Sequence, residues 1–163
     1  MGIYEDIMAY RPCCEQEERD REVMLDYIRR NDDAFLRTNL VAHMTASGWV
    51  VNPARDKVLM AYHKIYDSWS WTGGHADGEC DLLSVALTVD GHEKRGVYVP
   101  SHLHMNVTYL LEADDRDALS VCEEENSGVA WFALDDALKV STEPWFVERI
   151  YKKLNDKLKT MQF

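Results

Sequence analysis

The stretch that decides the fold is SWSWTGGHADGECDLLSVAL, residues 68–87. Its first four residues alternate serine and tryptophan, as a strand does when successive side chains point to opposite faces. Gly73 and Gly74 are predicted to end this strand, because glycine allows a tight turn. Residues 79–87 place leucines and an alanine on one side and are predicted to begin a helix. The stretch therefore predicts a strand, a glycine loop and a helix, in that order.

Regular elements are predicted on both sides of this stretch. The patterns before it indicate a helix at residues 15–30 and a β-hairpin with strands at residues 43–51 and 57–63. The turn of the hairpin is NPARD, residues 52–56. The elements predicted after the stretch are a strand at residues 105–111, a turn at Ser127 and Gly128, a strand at residues 129–132, and helices at residues 134–138 and 144–158.

The length and composition favour one domain. The chain has 163 residues, of which 46% are hydrophobic and 29% are charged, so it can bury a substantial core. The order of elements predicts a single mixed α/β (α+β) domain over residues 1–163, with residues 1–40 as a helical N-terminal extension packed on it. Trp49, Trp131 and Trp145 are predicted to lie in that core.

From these residues the sequence resembles the Nudix hydrolases. Their signature is a glycine, five residues, a glutamate, seven residues, Arg-Glu, an aliphatic residue, one residue, Glu-Glu, one residue and a glycine. The chain keeps the front of this pattern in WTGGHADGE, residues 71–79. The flanking segments TASGWVVNPARDKVLMAYH, SHLHMNVTYLL and NSGVAWF are also similar to one branch of the family. The resemblance covers nearly the whole chain and implies an α/β/α sandwich around a mixed sheet, with a truncated Nudix helix.

The resemblance also implies an activity. Nudix hydrolases use magnesium to hydrolyse a nucleoside diphosphate that is linked to another moiety. Magnesium prefers hard oxygen ligands, so the family gathers glutamates on one face of a helix, and an arginine orients them. Cations neutralise the phosphate oxygens and a base orients the attacking water. The implied cofactor is therefore Mg²⁺, and the implied partner is a small nucleotide-derived ligand.

The second half of the signature is absent from this sequence. If Gly74 is its first glycine, the glutamate position falls on Cys80; if Gly73 is, the position falls on Glu79. In the first register, Thr and Val stand at residues 88–89, where the family has Arg-Glu. Arg-Glu-x-x-Glu-Glu is missing in either register, so we expect weak or absent magnesium binding.

An internal deletion is the simplest interpretation. The paired glutamates of the family would fall on residues 92–93, but Asp90 and Gly91 before them are predicted to form a turn. A loss on the order of two dozen residues near residues 87–88 would remove the back of the helix, a loop and a strand. Such a loss exposes apolar surface, and a homodimer is one expected consequence.

The candidate site residues fall into three groups. They are the catalytic Glu79, Glu124 and Glu125, the metal ligands Glu79 and Asp77, and the substrate-binding Gly73, Gly74, His75, Trp69, His102 and His104. Each group has a plainer alternative. The acids at residues 77–81 also favour the N-terminus of a helix, and residues 123–125 also fit an ordinary acidic loop.

The two histidines and the tryptophan of these groups have alternatives of their own. His102 and His104 lie two residues apart on a predicted strand, hence on one face, where they could contact a phosphate or a metal or simply line a groove. Trp69 belongs to the core or stacks on a base.

The charge restricts the partners. The formal net charge is −11, from 18 Lys and Arg against 29 Asp and Glu. Because nucleic acids and anionic membranes would repel such a chain, neither is expected as a partner. No apolar run has the length of a bilayer span and the first ten residues lack a signal pattern, so we expect a cytoplasmic protein whose four cysteines are reduced.

Two functions follow from the sequence. The first is a Nudix-type pyrophosphohydrolase whose activity is lost or strongly impaired, because the catalytic glutamates are mostly missing. The alternative is a catalytically inactive Nudix-like module that binds a nucleotide or serves as a scaffold.

Overall fold

The computed structural model describes residues 3–75, 86–92, 102–123 and 126–161, with the backbone alone at His75 and in residues 86–92. The helices are α1 (Ile3–Ala9), α2 (Glu15–Arg30), α3 (Leu134–Val140), α4 (Pro144–Phe146) and α5 (Lys152–Thr160), with a π-helical turn at Val147–Tyr151 between the last two. The strands are β1 (Ala42–Val51), β2 (Lys57–His63), β3 (Ser68–Ser70), β4 (Thr72–His75), β5 (Ala86–His92), β6 (His102–Glu112) and β7 (Asn126–Ala133). The mixed α+β class predicted from the sequence is confirmed. Among the described residues, no helix is both long and apolar enough to cross a bilayer.

The chain divides into two compact units. The first comprises Met1–Gly48 and Gly73–Leu110, and the second comprises Trp49–Thr72 and Leu111–Phe163. Strands β1 and β6 therefore contribute residues to both units.

In the first unit, one face of β1 and β6 packs against α1 and α2. Side chains alternate between the faces of a strand, so the even-numbered residues of β1 and the odd-numbered residues of β6 share this face. Tyr27 of α2 donates a hydrogen bond from its hydroxyl to the carbonyl oxygen of Ala42 at 2.8 Å. The buried apolar cluster consists of Ile3, Ile7, Met24, Ala42, Met44, Met105, Val107 and Tyr109.

A buried carboxylate organises the start of α2. Glu17 is fully buried, and its Oε2 accepts hydrogen bonds from the Tyr10 hydroxyl at 2.9 Å and from the backbone N–H of Cys13 at 3.0 Å. Burial, followed by the Glu17 charge, raises the pKa of Tyr10, so this hydroxyl stays protonated and keeps donating. The carboxylate also suits the positive end of the helix dipole.

The first unit also holds two further strand pairings. β5 pairs antiparallel with β6, so that Ala86 faces Thr108 and His92 faces His102, and β4 pairs with β1. Residues 86–87 are thus part of a strand, and the prediction that the helix from residue 79 reaches residue 87 was wrong. The predicted turn at residues 90–91 was also wrong, because both residues continue the ladder with β6. Residues 76–85 lie outside the described part of the chain.

In the second unit, β2 is paired with three strands. It forms the predicted hairpin with β1, where Val51 faces Val58, and it pairs antiparallel with β3 and β7. The register with β7 shifts where Tyr62 faces Gly128 and His63 faces Asn126. Ser127 is therefore an extra residue in a β-bulge inside the strand, not part of a turn before it.

Aromatic side chains join the strands of the second unit to its helices. The ring of Trp49 stacks on Tyr151 at 5.2 Å between centroids, and the Tyr151 hydroxyl accepts a hydrogen bond from the backbone N–H of Trp71 at 3.3 Å. Trp49 is 1% exposed, as predicted for a core residue, and Trp131 is half-buried. Trp145 is 44% exposed, so its predicted place in the core was wrong. Trp145 lies in α4, directly before the π-helical turn at Val147–Tyr151, and its side chain faces solvent.

The core of the first unit predicts that substitutions at two neighbouring residues change the free energy of unfolding by very different amounts. Met24 is fully buried, whereas Val23 is 49% exposed. Met24→Ala should lower the free energy of unfolding by about 2–5 kcal/mol, because it leaves a cavity. Val23→Ala should change it by less than about 0.5 kcal/mol. Urea unfolding followed by circular dichroism measures both, and equal effects would contradict this packing.

Candidate functional site

The second face of β1 and β6 in the first unit is polar. Its residues recur at every second position of both strands, as one face of a strand requires. We call this surface the polar face, and it consists of His43, Thr45 and Ser47 on β1 and His102, His104, Asn106 and Thr108 on β6. Most of these side chains are buried, and only His102 and His104 are half-buried.

Asn106 organises the middle of the polar face. Its Nδ2 donates hydrogen bonds to Thr45 Oγ1 at 3.0 Å and to Ser47 Oγ at 2.8 Å. Its Oδ1 accepts a hydrogen bond from the hydroxyl of Thr108 at 3.2 Å. Burying an amide is costly unless its hydrogen bonds are made, and this network makes them. It holds β1 and β6 side by side next to the histidines.

Gly73 lies where β4 passes close to β1. A Cβ atom built at this position would lie 2.5 Å from Ser47 Oγ and 2.7 Å from the carbonyl oxygen of Ala46. At Gly74 the corresponding Cβ would have no neighbour within 4 Å. The strand β3 ends before the glycines, as predicted, but both glycines belong to β4, so the predicted glycine loop was wrong. The glycine at position 73 serves close backbone approach instead of a turn.

Three imidazole rings gather at one end of the polar face. The ring centroid of His43 lies 4.9 Å from that of His102 and 4.8 Å from that of His104. The ring centroids of His102 and His104 are 4.8 Å apart. The Nε2 atoms of His102 and His104 are 2.9 Å apart, within hydrogen-bond distance. One ligand nitrogen from each of the three rings lies within 4.8 Å of the others. We call this group the histidine cluster.

The backbone fixes the tautomer of His43. Its Nδ1 lies 3.0 Å from the carbonyl oxygen of Asn39, which can only accept a hydrogen bond. Nδ1 therefore carries the proton and donates it, and in the neutral ring the lone pair belongs to Nε2. Because His43 is 2% exposed, its ring is held in this orientation.

The structure brings together only some of the residues predicted from the sequence. His102, His104, Gly73 and Gly74 lie in the first unit, and His75 is described only as backbone of β4. The predicted carboxylates Asp77, Glu79, Glu124 and Glu125 lie outside the described residues.

Trp69 lies in the second unit and is half-buried. Its ring meets Phe132 and Tyr62 edge-on, with centroids 4.8 Å and 5.4 Å away. These contacts are those of a packed aromatic group, and they hold the ring in a defined orientation.

The sequence interpretation missed most of the polar face. The residues it did not single out are His43, Thr45, Ser47, Asn106 and Thr108. Their signal was present as polar residues at every second position in HMTAS and SHLHMNVT, but nothing in the sequence states that these two segments are neighbours.

The described donor atoms do not fit magnesium. Magnesium requires near-octahedral oxygen ligands, usually carboxylates and water, whereas the histidine cluster offers imidazole nitrogen. Among the described residues, the other group with metal-ligand spacing is Cys13, Cys14 and Glu17. Its carboxylate already accepts two hydrogen bonds at the start of α2. The described part of the chain therefore supplies no carboxylate set for magnesium.

Comparison with known proteins gives likeness of structure alone. No family model matches the chain, and no curated protein matches it. The structure is similar to a C. elegans Ap4A hydrolase binary complex, at 17% identity over 72% of this chain and 98% of that chain, with a TM-score of 0.49. It is also similar to the NUDIX domain of Shewanella oneidensis NrtR complexed with ADP ribose, at 15% identity over 82% and 97% of the two chains, with a TM-score of 0.47.

A third similar structure is a hydrolase of the NUDIX family from Clostridium perfringens, at 18% identity over 74% of this chain and 98% of that chain, with a TM-score of 0.46. The structure thus resembles solved Nudix proteins. At identities of 15–18%, this likeness concerns structure and not activity.

The two glycines of β4 provide a matched test of the site geometry. Gly73→Ala should lower the free energy of unfolding by about 1–3 kcal/mol, because the new methyl group meets Ser47 and the backbone of Ala46. Gly74→Ala should change it by less than about 0.5 kcal/mol, since the space there is open. Thermal and urea unfolding of both variants measure the difference. Equal stability of the two variants would show that β4 does not approach β1 in this way.

Proposed function

We propose that the chain is a Nudix-like module that binds a small nucleotide-derived ligand and has lost the hydrolysis that the resemblance implies. The observation that carries this proposal is strand β5. Its backbone pairs with β6 at every residue from Ala86 to His92. In the family signature, this part of the chain would belong to the glutamate-bearing helix and the segment after it.

A strand at residues 86–92 removes the geometry on which the chemistry depends. On a helix, residues three and four apart share a face, so several carboxylates can hold one cation. On a strand, the residues that share a face are two apart and spread along it. The residues at 88–89, where Arg-Glu would stand, are Thr and Val, and residues 92–93 are His and Glu. Both sequence and backbone therefore support loss of the magnesium site, and without the cation the phosphate charge is not neutralised.

Ligand binding is proposed at the polar face. His102 and His104 are half-buried at one end of it, and the backbone of Gly73 and Gly74 lies along β1 at its other end. Imidazole N–H groups and glycine backbone can contact a phosphate without adding bulk. They are among the substrate-binding residues predicted from the sequence. Because the chain keeps these groups but lacks the glutamate-bearing helix, we favour ligand binding without hydrolysis.

The wider expectations from the sequence belong to this proposal as well. We propose a single domain, a cytoplasmic location, and no nucleic-acid or membrane partner, since the net charge is −11. Two exposed apolar residues of the first unit, Val41 and Leu103, are neighbours. The backbone N–H of Leu103 donates a hydrogen bond to the carbonyl oxygen of Val41. They are consistent with the homodimer expected after loss of a covering segment. Size-exclusion chromatography with light scattering measures the molecular mass of the chain in solution and so distinguishes a dimer from a monomer.

Hydrolysis is the first test of the proposed function. We expect turnover indistinguishable from background on nucleotide sugars, dinucleoside polyphosphates and nucleoside triphosphates with magnesium present. Inserting a helix–loop–strand segment that carries Arg-Glu-x-x-Glu-Glu between Leu87 and Thr88 should bring activity. The matched control is the same insertion with its glutamates changed to glutamine, which should stay inactive. Magnesium-dependent turnover by the chain without any insertion would refute the loss of activity.

Magnesium affinity is the second test. We expect a Kd in the millimolar range or weaker, because at most Asp77, Glu79 and a neighbouring acid remain of the implied ligands. Calorimetric titration of the chain with magnesium measures this affinity. The double variant Asp77→Asn, Glu79→Gln should lose the binding that remains. Micromolar affinity of the unchanged chain would favour the active hydrolase instead.

A further inference from the structure

We propose that His43, His102 and His104 form a site for a divalent transition metal of the zinc type. The three rings come from two neighbouring strands of the first unit, and one ligand nitrogen of each lies within 4.8 Å of the others. This site is separate from the magnesium site that the resemblance implies, both in its residues and in its donor chemistry.

The spacing of the rings is close to that of a bound site. Zinc binds imidazole nitrogen at about 2.0–2.1 Å, so nitrogens around a tetrahedral ion lie about 3.3 Å apart. The Nε2 atoms of His102 and His104 are already 2.9 Å apart, and the widest separation in the cluster is 4.8 Å. Side-chain rotations that move the ring nitrogens by roughly an ångström would complete the geometry, with no change in the strands.

The surroundings prepare the ligands. Metal-binding histidines usually donate their second ring N–H to a carbonyl or carboxylate, which fixes the tautomer and orients the ring. His43 does this through Nδ1 to the carbonyl oxygen of Asn39 at 3.0 Å, so its Nε2 is the ligand atom. The Asn106 network lies two residues further along both strands and fixes the distance between them. His43 is buried and held in one orientation, whereas His102 and His104 are half-buried. This is the arrangement of a preorganised metal site that an ion can enter from one side.

The donor set selects the class of metal. Imidazole suits zinc, copper, iron and nickel, whereas magnesium and calcium prefer oxygen. Three protein nitrogens leave the fourth tetrahedral position for water or for an oxygen of a ligand. Binding requires a lone pair on each Nε2, so the proton between the Nε2 atoms of His102 and His104 must leave this position when the metal binds. In a neutral ring a proton is taken up at Nδ1 instead, so the ring stays neutral and coordinates the metal through Nε2. The net charge of −11 favours a cation at this surface.

The group of Cys13, Cys14 and Glu17 is the competing location for zinc. Both thiols are exposed, and the Glu17 carboxylate is fully buried and accepts hydrogen bonds from Tyr10 and from the backbone of Cys13. Using that carboxylate as a ligand would break the contacts that hold the segment between α1 and α2 in place. The observations therefore favour the histidine cluster, and the cysteines provide a control.

Zinc titration of the full reduced chain, without nucleotide, tests the proposal. We expect one zinc ion per chain with a Kd of about 1 μM or tighter, measured by competition with a chromophoric chelator. His43→Asn keeps an amide N–H where Nδ1 donates to Asn39 but removes the ligand nitrogen, and it should weaken binding about a hundredfold. His104→Ala, at a half-buried position, should do the same. The controls His63→Ala and Cys13→Ser with Cys14→Ser should bind zinc as the unchanged chain does.

A ring-nitrogen NMR spectrum of the unchanged chain makes the outcome independent of how the variants fold. Zinc should shift the Nε2 resonances of His43, His102 and His104 together, while those of His63 stay in place. The proposal fails if zinc leaves these three resonances unchanged. It also fails if the chain binds zinc more weakly than about 100 μM, or if the cysteine variant loses the metal while His43→Asn and His104→Ala retain it. Magnesium-dependent hydrolysis plays no part in these readouts, so the result is separate from the proposed function.

Discussion

The close pairing of β1 with β6, with one apolar and one polar face, is the constraint on which the rest of the first unit depends. The apolar face buries Met44, Met105 and Val107 under α1 and α2. The polar face would be costly to bury without partners, and the Asn106 amide supplies them across both strands. Because side chains alternate along a strand, a shift of one residue in this register would place histidines in the apolar cluster and methionines on the polar face.

The same pairing explains why the two glycines of β4 and the histidine cluster have different roles. Gly73 allows β4 to lie against β1 beside Ser47, where any side chain would collide. The histidines lie at the far end of the same polar surface, where β1 and β6 begin. We therefore propose the two ends of the polar face for different groups, phosphate at the glycines and a nitrogen-ligated metal at the histidines. The carboxylate helix has no counterpart among the residues of β5, where the chain continues as a strand.

Local patterns in the sequence predicted those elements whose cause is local. The helix at residues 15–30 and the strand at residues 57–63 were predicted with the bounds observed, because helical spacing and a turn signal specify them. Residues 1–40 were predicted as a helical extension, but no separate helix was predicted at α1, since it has only seven residues and is stabilised by burying Ile3 and Ile7 in the first unit. The glycines at 73–74 were misread because the sequence does not show which backbone they approach.

The candidate site was harder to predict than the fold for a related reason. His102 and His104 were identified by their spacing, but His43 lies 59 residues before His102 and contacts it only through the pairing of two strands. A single sequence gives no signal for such a contact. The acidic residues were chosen because the family resemblance implies them, and Asp77, Glu79, Glu124 and Glu125 lie outside the described residues.

The measurement that tests the central claim most directly is the backbone conformation of residues 86–92 in solution. The proposed loss of the catalytic helix predicts extended-chain chemical shifts for these residues, together with cross-strand NOEs between β5 and β6, such as between Thr88 and Asn106. Their amides should also exchange more slowly than those of the loops. Helical chemical shifts through Ala86 and Leu87, with no NOEs to β6, would contradict the account. They would indicate that this segment is helical, as the family signature implies.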